Sequence, residues 1–185
     1  MKLKQLLKPI LEETKPVYEY GCAMLYFNFP EINKIQNAIN PTHLYIEDTN
    51  GGYGFEDEPH TTFLYGLHND VSVDDVKGIL SQFIYGECKA FNPSLFENEK
   101  FDVLKFDVNG PNLHETNTEL SKLPHTTSYP EYHPHLTIAY LKPGMGKQYI
   151  ETLNKNKANE FRLVPQYAIY SEPNGTKTKI NIRID

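Results

Sequence analysis

Two segments of this chain follow one pattern: Pro59-His-Thr-Thr-Phe-Leu-Tyr65 and Pro134-His-Leu-Thr-Ile-Ala-Tyr140. Each reads Pro, His, any residue, Thr, two apolar residues, Tyr. Their surroundings match as well. Tyr20 to Phe29 is a continuous apolar and aromatic run, the pattern of a buried strand. After Pro30, Ile32, Ile35 and Ile39 recur at helical spacing, with proline at the start, where its missing N–H costs least. In the second half Phe101, Val103, Phe106 and Val108 predict a strand, and Leu113, Leu120 and Leu123 a helix over residues 112–123. Each copy of the motif then enters a strand of its own. A duplicated strand–helix–motif strand unit predicts two lobes related by a pseudo-twofold axis, with the motif strands facing each other across a shared groove.

Further elements fill this frame. His43 to Ile46 predicts a short strand, and residues 48–58 a turn-rich acidic loop leading into the first motif. Ser72 is placed to cap a helix, with Asp75 three residues on. Phe161 to Tyr170 and Lys177 to Ile184 predict two strands joined by a turn at Glu172–Gly175. Residues 1–16 read as a helical extension broken near Pro9, and 17–185 as one domain of two lobes sharing an active site. The basic start turns acidic at Glu12 without a small-residue cleavage site, and no apolar run approaches a membrane span. Cys22 and Cys88 have neither metal-ligand spacing nor company, which predicts a reducing, cytoplasmic setting.

Charge narrows the partners. The formal net charge is -6, with 18 Lys and Arg scattered among 24 acidic residues. A protein that tracks long nucleic acid presents a basic stripe, because counterion release dominates that affinity. None is visible here, so a nucleotide ligand is expected to be small and held in a local pocket.

The motifs carry the chemistry. Side chains alternate along a strand, so His60 and Thr62 share a face, as do His135 and Thr137. Two such strands lining one cleft gather two imidazoles and two hydroxyls. A neutral histidine can take a proton from a nucleophile while a protonated one gives a proton to the leaving oxygen. The hydroxyls can donate to phosphate oxygens as charge builds. Nothing in the set calls for a metal or cofactor. A third tripeptide copy, Pro124-His125-Thr, leads into Ser128, Tyr129 and Pro130 rather than a strand and reads as a loop. His125, His133 and His135 form a weak metal-ligand pattern beside it. Tyr20, Tyr26, Tyr65 and Tyr140 lie on or beside the motif strands and could stack on a base. Glu172, in the hairpin turn, could accept from a base amino group, and an acidic residue among 56–58 could orient a histidine.

The paired motifs resemble those of the two-histidine phosphoesterase superfamily, whose signature is two copies of His-x-Thr/Ser followed by an apolar residue, here Phe63 and Ile138. YGCAMLYFNFP, EPHTTFLYGLHNDV, FENEKFDVLKF and YHPHLTIAYLKPG look like the phage anti-CBASS proteins within it. The resemblance runs from about Tyr20 to the C-terminus. It implies an α+β fold of two pseudo-symmetric lobes with antiparallel sheets around a central cleft, a metal-free site of His60, Thr62, His135 and Thr137, and base binding by an aromatic and an acidic residue, for which Tyr20 and Glu172 are the candidates. With no tryptophan in the chain, Tyr or Phe must do any stacking. The implied activity is hydrolysis of 3′–5′ bonds in cyclic di- and trinucleotide immune messengers, in the host bacterial cytoplasm if phage-encoded. Alternatives are an RNA 2′,3′-cyclic phosphodiesterase and a non-catalytic nucleotide sponge.

Overall fold

The computed structural model describes residues 19–47, 53–129, 131–155 and 160–185, so the expected N-terminal helix lies outside the described residues. In the first half β1 (Gly21–Asn28), helix α1 (Ile32–Asn37) and motif strand β2 (His60–Leu67) follow in order. Helix α2 (Val73–Leu80) starts at Ser72, whose hydroxyl and the Asp75 carboxylate form a reciprocal capping box. After the short β3 (Ile84–Tyr85), β4 (Cys88–Glu97) and β5 (Asp102–Asn109) lead into helix α3 (Leu113–Leu120) and motif strand β6 (His135–Leu141). Helix α4 (Lys147–Lys155), β7 (Glu160–Ser171), β8 (Lys177–Ile180) and β9 (Arg183–Ile184) complete the order.

Seven strands form one sheet in the order β2-β1-β7-β4-β5-β6, with β8 also on β7, and every pairing in it is antiparallel. The architecture is α+β. Its halves are not separate sheets, because β7 belongs to both: Glu160–Leu163 pairs with β4, and Val164–Ser171 with β1. Pro165 falls in the stretch where β7 has passed beyond β4 and not yet met β8, so its missing N–H interrupts little. The two motif strands end this strand order, yet β2 and β6 lie against each other, so the sheet curls until its ends meet. One core runs through both halves, with Leu25, Phe63, Leu104, Phe106, Ile138 and Tyr170 fully enclosed.

The structure departs from the sequence reading in a few elements. His43–Ile46 is not a strand: Asn40 accepts the Thr42 N–H, Pro41 starts a 3₁₀ turn over Pro41–His43, and only single bridges follow, Leu44 to Leu141 and Ile46 to Tyr53. Residues 177–184 split into β8 and β9, the latter running parallel to β3. Strand β4 was not anticipated because Asn92, at φ 49°, and Pro93 break its periodicity at a bulge. Nor was α4, a largely polar helix that buries only Leu153. No helix among the described residues is long and apolar enough to cross a membrane.

Candidate active site

The two motif strands match residue for residue. His60, Thr62, His135 and Thr137 are each half-buried, while the intervening Thr61 and Leu136 are enclosed. The fourth position is a bulge in both. Met24 faces Thr62 and Ala23 faces Leu64, leaving Phe63 unpaired in register. Lys105 faces Thr137 and Leu104 faces Ala139, leaving Ile138 so. The extra residue breaks the alternation, so Phe63 and Leu64, like Ile138 and Ala139, both enter the core. An apolar residue is needed there for that reason.

A bulge disturbs the ladder, and the helices answer it across the pseudo-twofold. Asn117 on α3 donates to the Phe63 carbonyl at 2.7 Å. Gln36 on α1, nearly enclosed, donates to the Ile138 carbonyl at 3.1 Å and to the Glu56 carbonyl at 2.8 Å. Each half's helix thus ties down the other half's motif strand. Gln36 also holds the approach to His60 along β6, where Glu56 N–H donates to Ile138.

Both imidazoles are oriented by the same local bond. Nδ1 of His60 lies 2.8 Å from the Glu58 carbonyl, and Nδ1 of His135 lies 3.0 Å from the His133 carbonyl. A carbonyl only accepts, so Nδ1 carries the proton and Nε2 is the atom that gains or loses one. It is the backbone of Glu58, not a carboxylate of the acidic loop, that orients His60.

Around this common frame the two histidines differ. His60 faces Tyr26 across the strand pair and stacks on it at 5.2 Å; Tyr26 stacks on Tyr167 at 5.2 Å, and Lys179 Nζ sits 3.7 Å over that ring. His135 faces Asp107, and its ring stands nearly perpendicular to that of Phe96, their centres 5.4 Å apart. Beside Asp107, the enclosed Lys105 bonds Ser94 Oγ and Asp107 Oδ1, each at 2.9 Å. Asn92 takes the other Asp107 oxygen at 2.6 Å. Burial lowers the His135 pKa, and the Lys105 and His60 charges add to this, against the His133 carbonyl and Asp107. The strands that carry the two motifs, β2 and β6, lie against each other. Burial would raise the Asp107 pKa, but its bonds from Asn92 and Lys105 and the Lys105 charge bring it below the usual range.

Other candidates stand elsewhere. Tyr20 lies beyond the opposite end of β2, packed on Tyr65 and His68 at 6.0 Å each. Glu172 lies near that same end, its backbone closing the β7–β8 turn. The aromatic brought to a motif histidine is Tyr26. Tyr140 packs on Tyr53 and Phe101. Of the weak metal pattern, His125 bonds the Leu123 carbonyl and His133 pairs with Glu131, and among the described residues no three His, Cys, Asp or Glu side chains group as ligands. Cys22, 4.0 Å from Thr62 Oγ1, has its thiol pushed up to about 12 by burial and remains protonated. The sequence reading missed Lys105, Asp107, Asn92, Ser94, Gln36 and Asn117. Its one available signal was Lys105 and Asp107 at i and i+2, charges on one face of an otherwise apolar strand.

No protein-family model matches the chain, and no curated protein matches it. Among solved structures it is similar to Kluyveromyces marxianus Usb1 with uridine monophosphate: 10% identity, TM-score 0.52, covering 89% of this chain and 98% of that one. The MHV ns2 PDE domain is 18% identical at a TM-score of 0.49, over 87% and 99% of the two chains. E. coli LigT complexed with 3′-AMP is 12% identical at 0.47, over 89% and 97%. At this identity the likeness is one of fold, and the fold is shared with Usb1.

Proposed function

We propose that this chain is a metal-independent phosphodiesterase that hydrolyses 3′–5′ bonds of cyclic di- and trinucleotide immune messengers, so that a phage evades CBASS defence. The observation that carries the phosphodiesterase reading is the pair of His-x-Thr strands, each with Nδ1 tied to a carbonyl and Nε2 left for proton transfer. The fold shared with a nucleotide-bound Usb1 supports a small nucleotide as substrate. The finer choice of cyclic oligonucleotides rests on the sequence blocks around the motifs and on the acidic charge balance.

The reaction needs one imidazole neutral and one charged. The neutral Nε2 takes the proton of the substrate's 2′-hydroxyl as its oxygen attacks phosphorus. The P–O5′ bond breaks and the departing oxygen takes a proton from the other Nε2, leaving a 2′,3′-cyclic phosphate. The two rings, their roles now exchanged, then pass water through the reverse sequence to open it. Thr62 and Thr137 donate to the non-bridging oxygens. Such intramolecular attack contributes about 7–11 kcal/mol when well oriented.

The test is a panel of cyclic di- and trinucleotides and a cyclic-phosphate-ended RNA, with products separated by chromatography with and without EDTA. Cleavage of the cyclic oligonucleotides in chelator is expected. Turnover of the RNA end alone would favour the cyclic phosphodiesterase, and tight binding without turnover the sponge. A dinucleotide lacking the 2′-hydroxyl beside the scissile bond should bind and resist cleavage; equal ribo and deoxy rates would instead indicate direct attack by water.

A further inference from the structure

The duplication fails at two positions. Opposite Thr62 and His60 in the first half stand Met24 and Tyr26; opposite Thr137 and His135 in the second stand Lys105 and Asp107. Facing residues of an antiparallel pair share a face, so the pseudo-twofold relates an apolar and aromatic pair to an ion pair. That ion pair is built in. Lys105 is only 8% exposed, its ammonium divided between Ser94 and Asp107 with Phe96 beneath it at 4.7 Å, and Asn92 closes the second Asp107 oxygen. A buried ion pair is a weak stabiliser once desolvation is counted, so packing alone does not account for this one.

Two symmetric histidines would compete for one proton, with each taking the donor role half the time. We infer that the Lys105–Asp107 pair breaks this tie, making His135 the proton acceptor and His60 the proton donor of the first step. The inference rests on the acid–base reading of the site given above. Among the described residues, the charged or titratable groups acting on His135 are Lys105 and Asp107 from β5 and His60 from β2; His133 contributes its carbonyl, its own ring being turned to Glu131. Lys105 and a protonated His60 both disfavour a charge on His135, while Asp107, already shared with Lys105 and Asn92, only partly offsets them. On the other side His60 faces and stacks on the Tyr26 ring at 5.2 Å, with, among the described residues, no ion pair opposite it in the strand register. Lys105 and Asp107 are therefore positioning residues that act through His135.

The experiment follows the imidazole Cε1 signals by NMR titration and, in parallel, the pH profile of kcat/KM, in wild type, Lys105→Met and Asp107→Asn. The His135→Gln variant assigns the His135 signal. Removing the Lys105 cation should raise the His135 midpoint, and removing the Asp107 anion should lower it, each by on the order of one pH unit. The acidic limb of the profile, set by the group that must be neutral, should move with that midpoint in both directions. Should Lys105→Met not fold, Asp107→Asn carries the test alone, its shift being downward. A midpoint that does not move, or a basic limb that moves in place of the acidic one, overturns the inference while leaving the phosphodiesterase reading intact. A folded wild type inert toward every nucleotide of the panel overturns both.

Discussion

Glu58-Pro59-His60, Leu123-Pro124-His125 and His133-Pro134-His135 all place the imidazole Nδ1 on the carbonyl two residues back, at 2.8, 2.9 and 3.0 Å. The cause is local. Proline holds its own φ and keeps the preceding residue extended, which turns that residue's carbonyl toward the side chain after the proline. The three copies therefore differ only in where they are delivered. His125 forms a bridge with Leu67, and Thr126 N–H donates to Gly66 at 2.9 Å, so the third copy covers the end of β2 away from His60. His60→Ala or His135→Ala should each lower kcat by about 10²–10⁴-fold with the fold intact, since each removes a proton-transfer partner. His125→Ala should leave turnover near wild type; a loss as deep as theirs would reassign the site. Thr62→Val and Thr137→Val should each cost about 10²–10³-fold in kcat if the hydroxyls donate to developing charge. Steady-state kinetics with circular dichroism as the folding control reads all five.

At the scale of elements, the bulges and the helices that answer them are one device. Without Gln36, the Glu56 and Ile138 carbonyls lose a donor in a buried place; without Asn117, so does Phe63. Gln36→Leu and Asn117→Leu should each destabilise by about 1–3 kcal/mol, measured by urea unfolding. Turnover should also fall, because each loosens a motif strand of the opposite half. Full stability and activity in both variants would show the bulges to be held by packing alone. Gly66 is a second element-scale constraint. It sits at φ 108°, and a Cβ there would lie 1.9 Å from the Thr126 carbonyl oxygen. Gly66→Ala must displace the 124–126 segment from the edge of β2, lowering stability with little direct effect on the histidines at the far end of the strand.

For the whole molecule, β7 decides how the halves behave. Its first residues complete the β4–β5–β6 side and its remainder the β2–β1 side, so neither half keeps its sheet if the other opens. Unfolding should accordingly be a single cooperative transition, with tyrosine fluorescence and far-ultraviolet circular dichroism giving the same urea midpoint. Two separated midpoints would mean that the lobes unfold independently. The shared strand also serves the candidate site, because the motif strands stand at opposite ends of the strand order and only the curl of one continuous sheet brings the strands of His60 and His135 against each other.

Much of this was legible in the sequence because it depends on neighbours a few residues apart. Strands β1, β2, β5, β6 and β7 follow from apolar runs and alternation, and α2 from the Ser72 and Asp75 box. The common face of His60 with Thr62 and of His135 with Thr137 follows from strand pleating. The Nδ1 bonds of the three Pro-His segments are local as well, but the sequence reading did not include them. What the sequence could not contain is the pairing across distance. The loop reading of Pro124-His125-Thr did not include its seat on β2, and a candidate such as Tyr20 had no register to set it apart from Tyr26. Gln36 and Asn117 look like ordinary helix amides until the opposite half supplies the carbonyls. Met24 and Tyr26 can be compared with Lys105 and Asp107 only once strand register sets each pair against its motif. Sequence determined two equivalent His-x-Thr strands, because motif and pleating are local; that those strands lie together, and that their partners differ, belong to the tertiary structure, because they depend on which residues the fold brings within reach.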